Sequence, residues 1–243
     1  MLKNPLVLFL FVLNLFGCIE HQCARDTEIS KQTSKKSLLP IESFVKVEQI
    51  VFKGKEALDS YSGSGSIVKT EEDTTFVLTA KHLCSFELDL VAVGEVKPTS
   101  QQMFIYDLEN VIHEATIINK SETYDFCILQ VDSDLKRPAI SLSKSPPTLA
   151  ERVFNIAAPV GIFGKHMVPM YQGFYSGNFE ISPGVEMSGF SIPTQTGSSG
   201  SPIFNEDMEL ISIILRKTKD FENFAIGGTH QQLKEYLASN LNI

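Results

Sequence analysis

An all-β fold of two antiparallel barrels followed by a single C-terminal helix is what this 243-residue sequence predicts. Three observations support it. From Ser43 onward, short apolar runs rich in β-branched and aromatic residues recur between Gly, Pro, Asn, Asp or Ser turns, the texture of barrels or sandwiches. The stretch "DSDLKRPAISLSKSPPTLAE", with Pro138, Pro146 and Pro147, divides these runs into two sets of similar size. Only the last segment carries helical periodicity.

In the first set, "SFVKVEQIVF" alternates as a strand does, and "GSIVKT" and "TTFVLTA" flank the polar turn "EEDT" as a hairpin. "LDLVAVG", "QMFIYDL", "HEATII" and "DFCILQV" complete that set. The second comprises "RVFNIAAPV", "VPMYQGFYSG", "FEISPG", "EMSGFSIPT", "SPIFN", "LISIILRK" and "NFAIGG". In "HQQLKEYLASNL", Leu233, Tyr236, Leu237 and Leu241 fall on one helical face. The expected organisation is a first six-stranded barrel over 43–135, a connector over 136–149, a second six-stranded barrel over 150–229 and a helix over 230–243.

Ahead of the barrels, Met1, Leu2, Lys3 and Asn4 precede "PLVLFLFVLNLFG". That run is too short to span a bilayer, and it has the charged and apolar regions of a secretory signal, so residues 1–17 are expected to be removed on export. Leu15, Phe16, Gly17 and Cys18 resemble a bacterial lipobox, although Phe16 is bulkier than the small residue usual there. The resemblance implies a lipidated Cys18 and membrane attachment through it. Residues 18–42, polar and poor in apolar side chains, read as a flexible tether. The expected location is periplasmic, lipid-anchored or secreted. A net charge of −8 without any Lys/Arg cluster speaks against a nucleic-acid partner.

"TQTGSSGSPIF", residues 194–204, gathers Gly197, Ser198, Ser199, Gly200, Ser201 and Pro202 directly before an apolar strand. Such clusters are usually plain loops. A serine nucleophile, however, needs an imidazole to take its proton, a carboxylate to orient that imidazole, and backbone N–H groups to receive an oxyanion. Four histidines have unremarkable settings: His21 in the tether, His113 at a strand start, His166 in the loop "FGKHMV" and His230 at the helix start. His82 instead stands where "TTFVLTA" delivers it to a turn. Asp125 opens the apolar strand "DFCILQV", where an unpartnered carboxylate is costly.

"TAKHLC", "TYDFCILQV" and "TGSSGSP" resemble, in this order, the histidine, aspartate and Gly-x-Ser-Gly-Gly-Pro motifs of the chymotrypsin-fold (trypsin-like) serine proteases. The likeness is nearest to their bacterial high-temperature-requirement type. It extends to "YSGSGSIVKT", "HEATIINKSETYDFCILQVD", "RVFNIAAPVGIFG", "YQGFYSG" and "NFAIGGTHQQLKEYL", covering residues 43–240 and leaving no room for a C-terminal PDZ domain. The resemblance implies a chymotrypsin-like fold and an endopeptidase acting on polypeptides through an acyl-enzyme, with neither cofactor nor metal. Ser199 would be the nucleophile, His82 the general base and Asp125 its orienting partner. The N–H groups of Gly197 and Ser199, joined by that of Ser198, would form the oxyanion hole.

Some positions depart from the family pattern. Ser198 replaces the aspartate that in digestive members pairs with a freed N-terminus, which implies that this activating ion pair is not used. Ser201 replaces the second glycine of the motif, and Pro193 stands six before Ser199, so nothing supports a trypsin-like preference for Lys or Arg. "IILRK" and "NFAIGG" are expected to wall the specificity pocket, implying an apolar or small P1 side chain. Cys84 and Cys127 each lie two residues beyond a member of the implied His82–Asp125 pair; a disulfide and two buried thiols are both open. The alternative function is a catalytically inactive member that serves as a binding scaffold. Processing of a viral polyprotein is disfavoured by the export signal.

Overall fold

The computed structural model describes residues 40–85, 97–219 and 221–243. The export signal, Cys18, Cys23, nearly all of the tether and the expected strand "LDLVAVG" lie outside the described residues. A 3-10 turn at Ile41–Ser43 leads into β1 (Phe44–Lys53), followed by β2 (Glu56–Glu71), β3 (Thr74–Ala80), β4 (Ser100–Tyr106), β5 (Ile112–Lys120) and β6 (Phe126–Val131). These form a closed antiparallel barrel in the order β1-β2-β3-β6-β5-β4. β7 (Arg152–Ile156), β8 (Met170–Ser182), β9 (Val185–Phe190), β10 (Pro202–Phe204), β11 (Leu210–Lys217) and β12 (Ala225–Gly227) close a second barrel in the order β10-β11-β12-β9-β8-β7. Among the described residues one α-helix, α1 (His230–Leu241), follows the second barrel.

Alternation fills each barrel. Val45, Val47, Ile67, Val77, Ile105 and Leu129 point into the first, all essentially inaccessible to water. Val153, Phe190, Ile192, Ile203 and Ile214 fill the second. A third cluster lies between them: Phe44, Leu78, Phe126 and Ile128 of the first barrel pack with Ile156, Phe204 and Ile213 of the second and with Leu233 and Leu237 of α1. The connector is bound on both sides, since Ile140 N–H donates to the Ile67 carbonyl and Ser143 N–H to that of Leu210.

The helix begins where a capping box satisfies its free donors: Gln232 N–H donates to Thr229 Oγ1 at 3.2 Å, and Thr229 N–H to Gln232 Oε1 at 2.9 Å. At its other end the Lys69 ammonium donates to the Leu241 carbonyl at 2.7 Å, a cation at the negative pole of the helix. Tyr236 stacks obliquely against Phe126 and donates its hydroxyl to the Asn119 carbonyl at 3.3 Å. Burial raises the pKa of that phenol well above its usual value.

Two elements are longer than their patterns predict. "EALDSYSG" has no apolar alternation, but the β1–β2 hairpin runs from Lys53↔Glu56 to Phe44↔Ser66 with one register shift between Val51 and Phe52, so pairing with β1 draws the polar segment into the sheet. "VPMYQGFYSG" and "FEISPG" join in β8 because Gly177, at φ 102°, absorbs a register shift that would otherwise end the strand.

Leu233 is fully buried where both barrels and α1 meet. Leu233→Ala is expected to lower unfolding free energy by about 2–5 kcal/mol, read from urea denaturation.

Candidate active site

Antiparallel pairing of β3 with β6 sets Ala80 opposite Phe126. The residues just past one strand end and just before the other are therefore neighbours. Beyond Ala80 the chain turns through a 3-10 segment, Lys81–Cys84, and Asp125 immediately precedes β6. Lys81 N–H donates to the Asp125 carbonyl at 3.1 Å. His82 N–H donates to Asp125 Oδ1 at 2.9 Å, and His82 Nδ1 lies 2.8 Å from Asp125 Oδ2. Both carboxylate oxygens thus hold one residue, by its backbone and by its ring. A disulfide between the buried Cys84 and Cys127 ties the same turn to β6, with 6.6 Å between the Cα atoms.

Ser199 lies in the loop between β9 and β10, and carbonyl groups fix the loop's geometry. Val160 N–H donates to the Thr196 carbonyl at 2.6 Å. In a trans peptide the C=O and N–H point in opposite directions, so the Gly197 N–H faces away from Val160. Ser201 N–H likewise holds the Ser198 carbonyl at 3.0 Å, turning the Ser199 N–H the other way. Ser198 was expected to join these two as a third inward donor; its N–H instead closes a turn onto the Gln195 carbonyl at 2.9 Å. Gly197 sits at φ 92°, and a Cβ there would lie 2.5 Å from the Ala158 carbonyl oxygen. Gly200, at φ 81°, would place a Cβ 2.2 Å from the Ser64 carbonyl oxygen. Both positions require glycine.

Ser64, on β2 of the first barrel, grips this loop of the second. Its N–H donates to the Ser199 carbonyl at 2.8 Å, and its hydroxyl donates to the Gly197 carbonyl at 2.9 Å while accepting from Ala158 N–H at 2.9 Å. The residue is fully buried. Sequence reasoning included "YSGSGSIVKT" in the resemblance but missed the role of Ser64, because its partners Gly197 and Ser199 lie far along the chain. It also missed Val160, whose φ of 47° is left-handed for a β-branched residue and whose N–H contact with the Thr196 carbonyl is not visible in the local sequence.

His82, Gly197 and Ser199 line one cavity of about 510 Å³. Residues 194–196 and 214–217 form another of its walls. Of the two segments expected to wall the specificity pocket, β11 lines this cavity. The "NFAIGG" strand is absent from the lining, because Ala225 is fully buried in the core of the second barrel. The departures from the motif have local partners. Ser201 Oγ accepts from Asn155 Nδ2 at 2.9 Å in a dry environment. Ser198 Oγ accepts from Gln195 N–H at 3.3 Å, a short-range cap in place of an ion pair. The other described histidines are engaged elsewhere: His113 with Asp107, His166 with Glu109 and His230 with the Ser143 carbonyl. Among the described residues, no group of three or more His, Cys, Asp or Glu is placed to hold a metal ion.

Comparison with known proteins agrees with this architecture. A family model described as a trypsin-like peptidase domain matches residues 63–213. The active form of the Rv3671c protease from M. tuberculosis superposes with a TM-score of 0.64 at 15% identity, covering 82% of this chain and 81% of that one. An inactive form of the same protease gives 0.61 at 16% identity, covering 82% and 89%. At such identities the superpositions establish the fold. No curated protein matches the sequence significantly.

Two neighbouring serines on β2 are expected to respond oppositely to substitution. Ser64→Ala strips partners from two buried backbone groups and is expected to cost about 1–3 kcal/mol. Ser66 Oγ is buried with no hydrogen-bond partner among the described residues, so Ser66→Ala is expected to be neutral or stabilising. Urea midpoints of the two variants check the contrast.

Proposed function

The chain belongs to the trypsin-like peptidase family, and from that premise we propose that it is a serine endopeptidase that cleaves polypeptides through an acyl-enzyme. The observation that carries this reading is the 2.8 Å contact between His82 Nδ1 and Asp125 Oδ2, beside a cavity that His82 shares with Ser199. An Nδ1–H donated to Asp125 leaves Nε2 with its lone pair, the tautomer a general base requires. Nε2 takes the Ser199 proton as Oγ attacks the scissile carbonyl carbon. The C–O bond forms, and the carbonyl π electrons move to oxygen. Gly197 and Ser199 N–H groups receive that oxyanion, their directions preset by the carbonyl contacts behind them. His82 then hands the proton to the leaving amine as the C–N bond breaks. Water repeats the sequence on the ester, with His82 again as base. Asp125 keeps its charge throughout and stabilises the imidazolium.

The two barrels divide the labour. The first fixes acid–base chemistry at a strand end closed by a disulfide, and the second supplies the nucleophile and the oxyanion donors. The edge of β11 at residues 214–217 offers extended backbone along which a peptide can lie. The sequence of residues 1–17 supports export, and Cys18 supports attachment to a membrane through a lipid.

Ser199→Ala is expected to abolish both peptide turnover and covalent labelling by a fluorophosphonate, with the thermal transition unchanged. Undiminished labelling of that variant would overturn the assignment. A wild-type chain that folds but neither labels nor cleaves would favour the scaffold alternative. Asp125→Asn is expected to lower kcat by about 10³–10⁴-fold while Ser199 remains in place, as measured on a fluorogenic peptide.

The disulfide makes a separate prediction. Reduction, or Cys84→Ala with Cys127→Ala, opens a link across a 43-residue separation. The chain-entropy relation gives a loss of about 4 kcal/mol, read as a fall in the urea midpoint of the reduced against the oxidised chain.

A further inference from the structure

We propose that this site selects polypeptides with acidic side chains on the acyl side of the scissile bond, read by Lys217, Arg216 and Lys81. The inference rests on the peptidase reading and adds a substrate class to it.

It begins from a local inversion of charge. The chain holds 29 acidic and 21 basic residues, for a net charge of −8. Yet the cavity that contains Ser199 has Arg216 and Lys217 in its lining and no Asp or Glu. A second depression, of about 530 Å³, continues past His82 and Leu215 and is lined by Lys81 and Arg216. Among the described residues, Asp125 is the single acidic residue in either lining, and both of its carboxylate oxygens are taken by His82. Arg216 therefore belongs to both depressions, and the two form one groove along β11.

None of the three cations, Lys81, Arg216 and Lys217, is paired with a carboxylate among the described residues, whereas eight other bases, counting histidines apart from His82, have carboxylate partners. Arg216 and Lys217 are both exposed, at the end of the strand that lines the Ser199 cavity. The Lys217 ammonium lies 3.3 Å from Thr196 Oγ1, so it reaches from β11 across the cavity to the segment that leads into Gly197. A P1 carboxylate entering between those walls meets an ammonium at its mouth and the Thr194 and Thr196 residues in its lining. The next acyl-side positions meet Arg216, whose planar guanidinium suits a bidentate carboxylate, and Lys81.

The overall negative charge does not cancel this preference. At about 0.1 M salt the screening length is roughly 10 Å, so distant carboxylates are damped while charges inside the groove act at contact range. Each partly exposed pair contributes only a few-fold. Three in one groove bring the expected discrimination to about tenfold. An apolar or small P1 preference, expected from the sequence, took account of the aliphatic part of "IILRK" and not of the two cations that end it.

The test uses the full chain and matched fluorogenic peptides that differ only by Glu or Gln at the three acyl-side positions that face Lys217, Arg216 and Lys81. The expected kcat/KM ratio is about tenfold in favour of Glu at 0.1 M salt, shrinking at 1 M. In Arg216→Glu/Lys217→Glu, the ratio is expected to invert, with a Lys peptide preferred over its Gln counterpart. Binding of the same peptides to Ser199→Ala, by fluorescence anisotropy, separates recognition from chemistry. Equal binding and equal turnover of Glu and Gln peptides would overturn the proposal while leaving a peptidase. Discrimination in binding with no turnover by the wild-type chain would support the groove and sink the peptidase reading instead.

Discussion

The hydrogen bonds of Ser64 are the constraint on which the site depends. His82 and Asp125 come from the first barrel, while Gly197 and Ser199 come from the second. Between them stands one small residue of β2, whose backbone N–H holds the Ser199 carbonyl at 2.8 Å and whose hydroxyl holds the Gly197 carbonyl at 2.9 Å. Apolar packing presses the barrels together through Leu78, Phe126, Phe204 and Ile213, but it is non-directional and fixes distance better than angle. Hydrogen bonds to two carbonyls of residues that line the cavity supply the direction.

Those carbonyl contacts also fix the geometry of so polar a loop. The Thr196 oxygen is held by Val160, the Gly197 oxygen by Ser64, the Ser198 oxygen by Ser201 and the Ser199 oxygen again by Ser64. With each carbonyl turned outward, the Gly197 and Ser199 N–H groups are directed without any ion pair beneath them. Ser198 is then free to cap the local turn at Gln195. The left-handed Val160 is the strained member of the set, costing on the order of 1–3 kcal/mol, offset by the contacts around it. Its strain lies where its N–H orients the peptide between Thr196 and Gly197.

Legibility in the sequence followed the range of the interactions. "TAKHLC", "TYDFCILQV" and "TGSSGSP" are local patterns whose residue types carry chemistry, so His82, Asp125 and Ser199 stand out from the chain alone. Alternating strands such as "SFVKVEQIVF" were legible for the same reason. By contrast, the polar half of β2 became a strand only through its partner β1, and Ser64 acquired its role only through contacts 133 and 135 positions along the chain. Arg216 and Lys217 read as the solvated end of an apolar strand. Their meaning depends on which walls of the cavity they share, a property of barrel closure rather than of local sequence. The link between Cys84 and Cys127 was likewise open until the β3–β6 register set Thr79 opposite Cys127.

Division of a site between two barrels makes its geometry sensitive to their seam, while each half keeps its own internal staples: the disulfide and carboxylate on one side, the glycine loop on the other. The most direct test of that account is a crystal structure of the chain after reaction with a peptidyl phosphonate. Phosphorus is expected on Ser199 Oγ, with one phosphoryl oxygen about 3 Å from the N–H groups of both Gly197 and Ser199. A phosphonate carried by another residue, or an oxygen turned away from both donors, would contradict it.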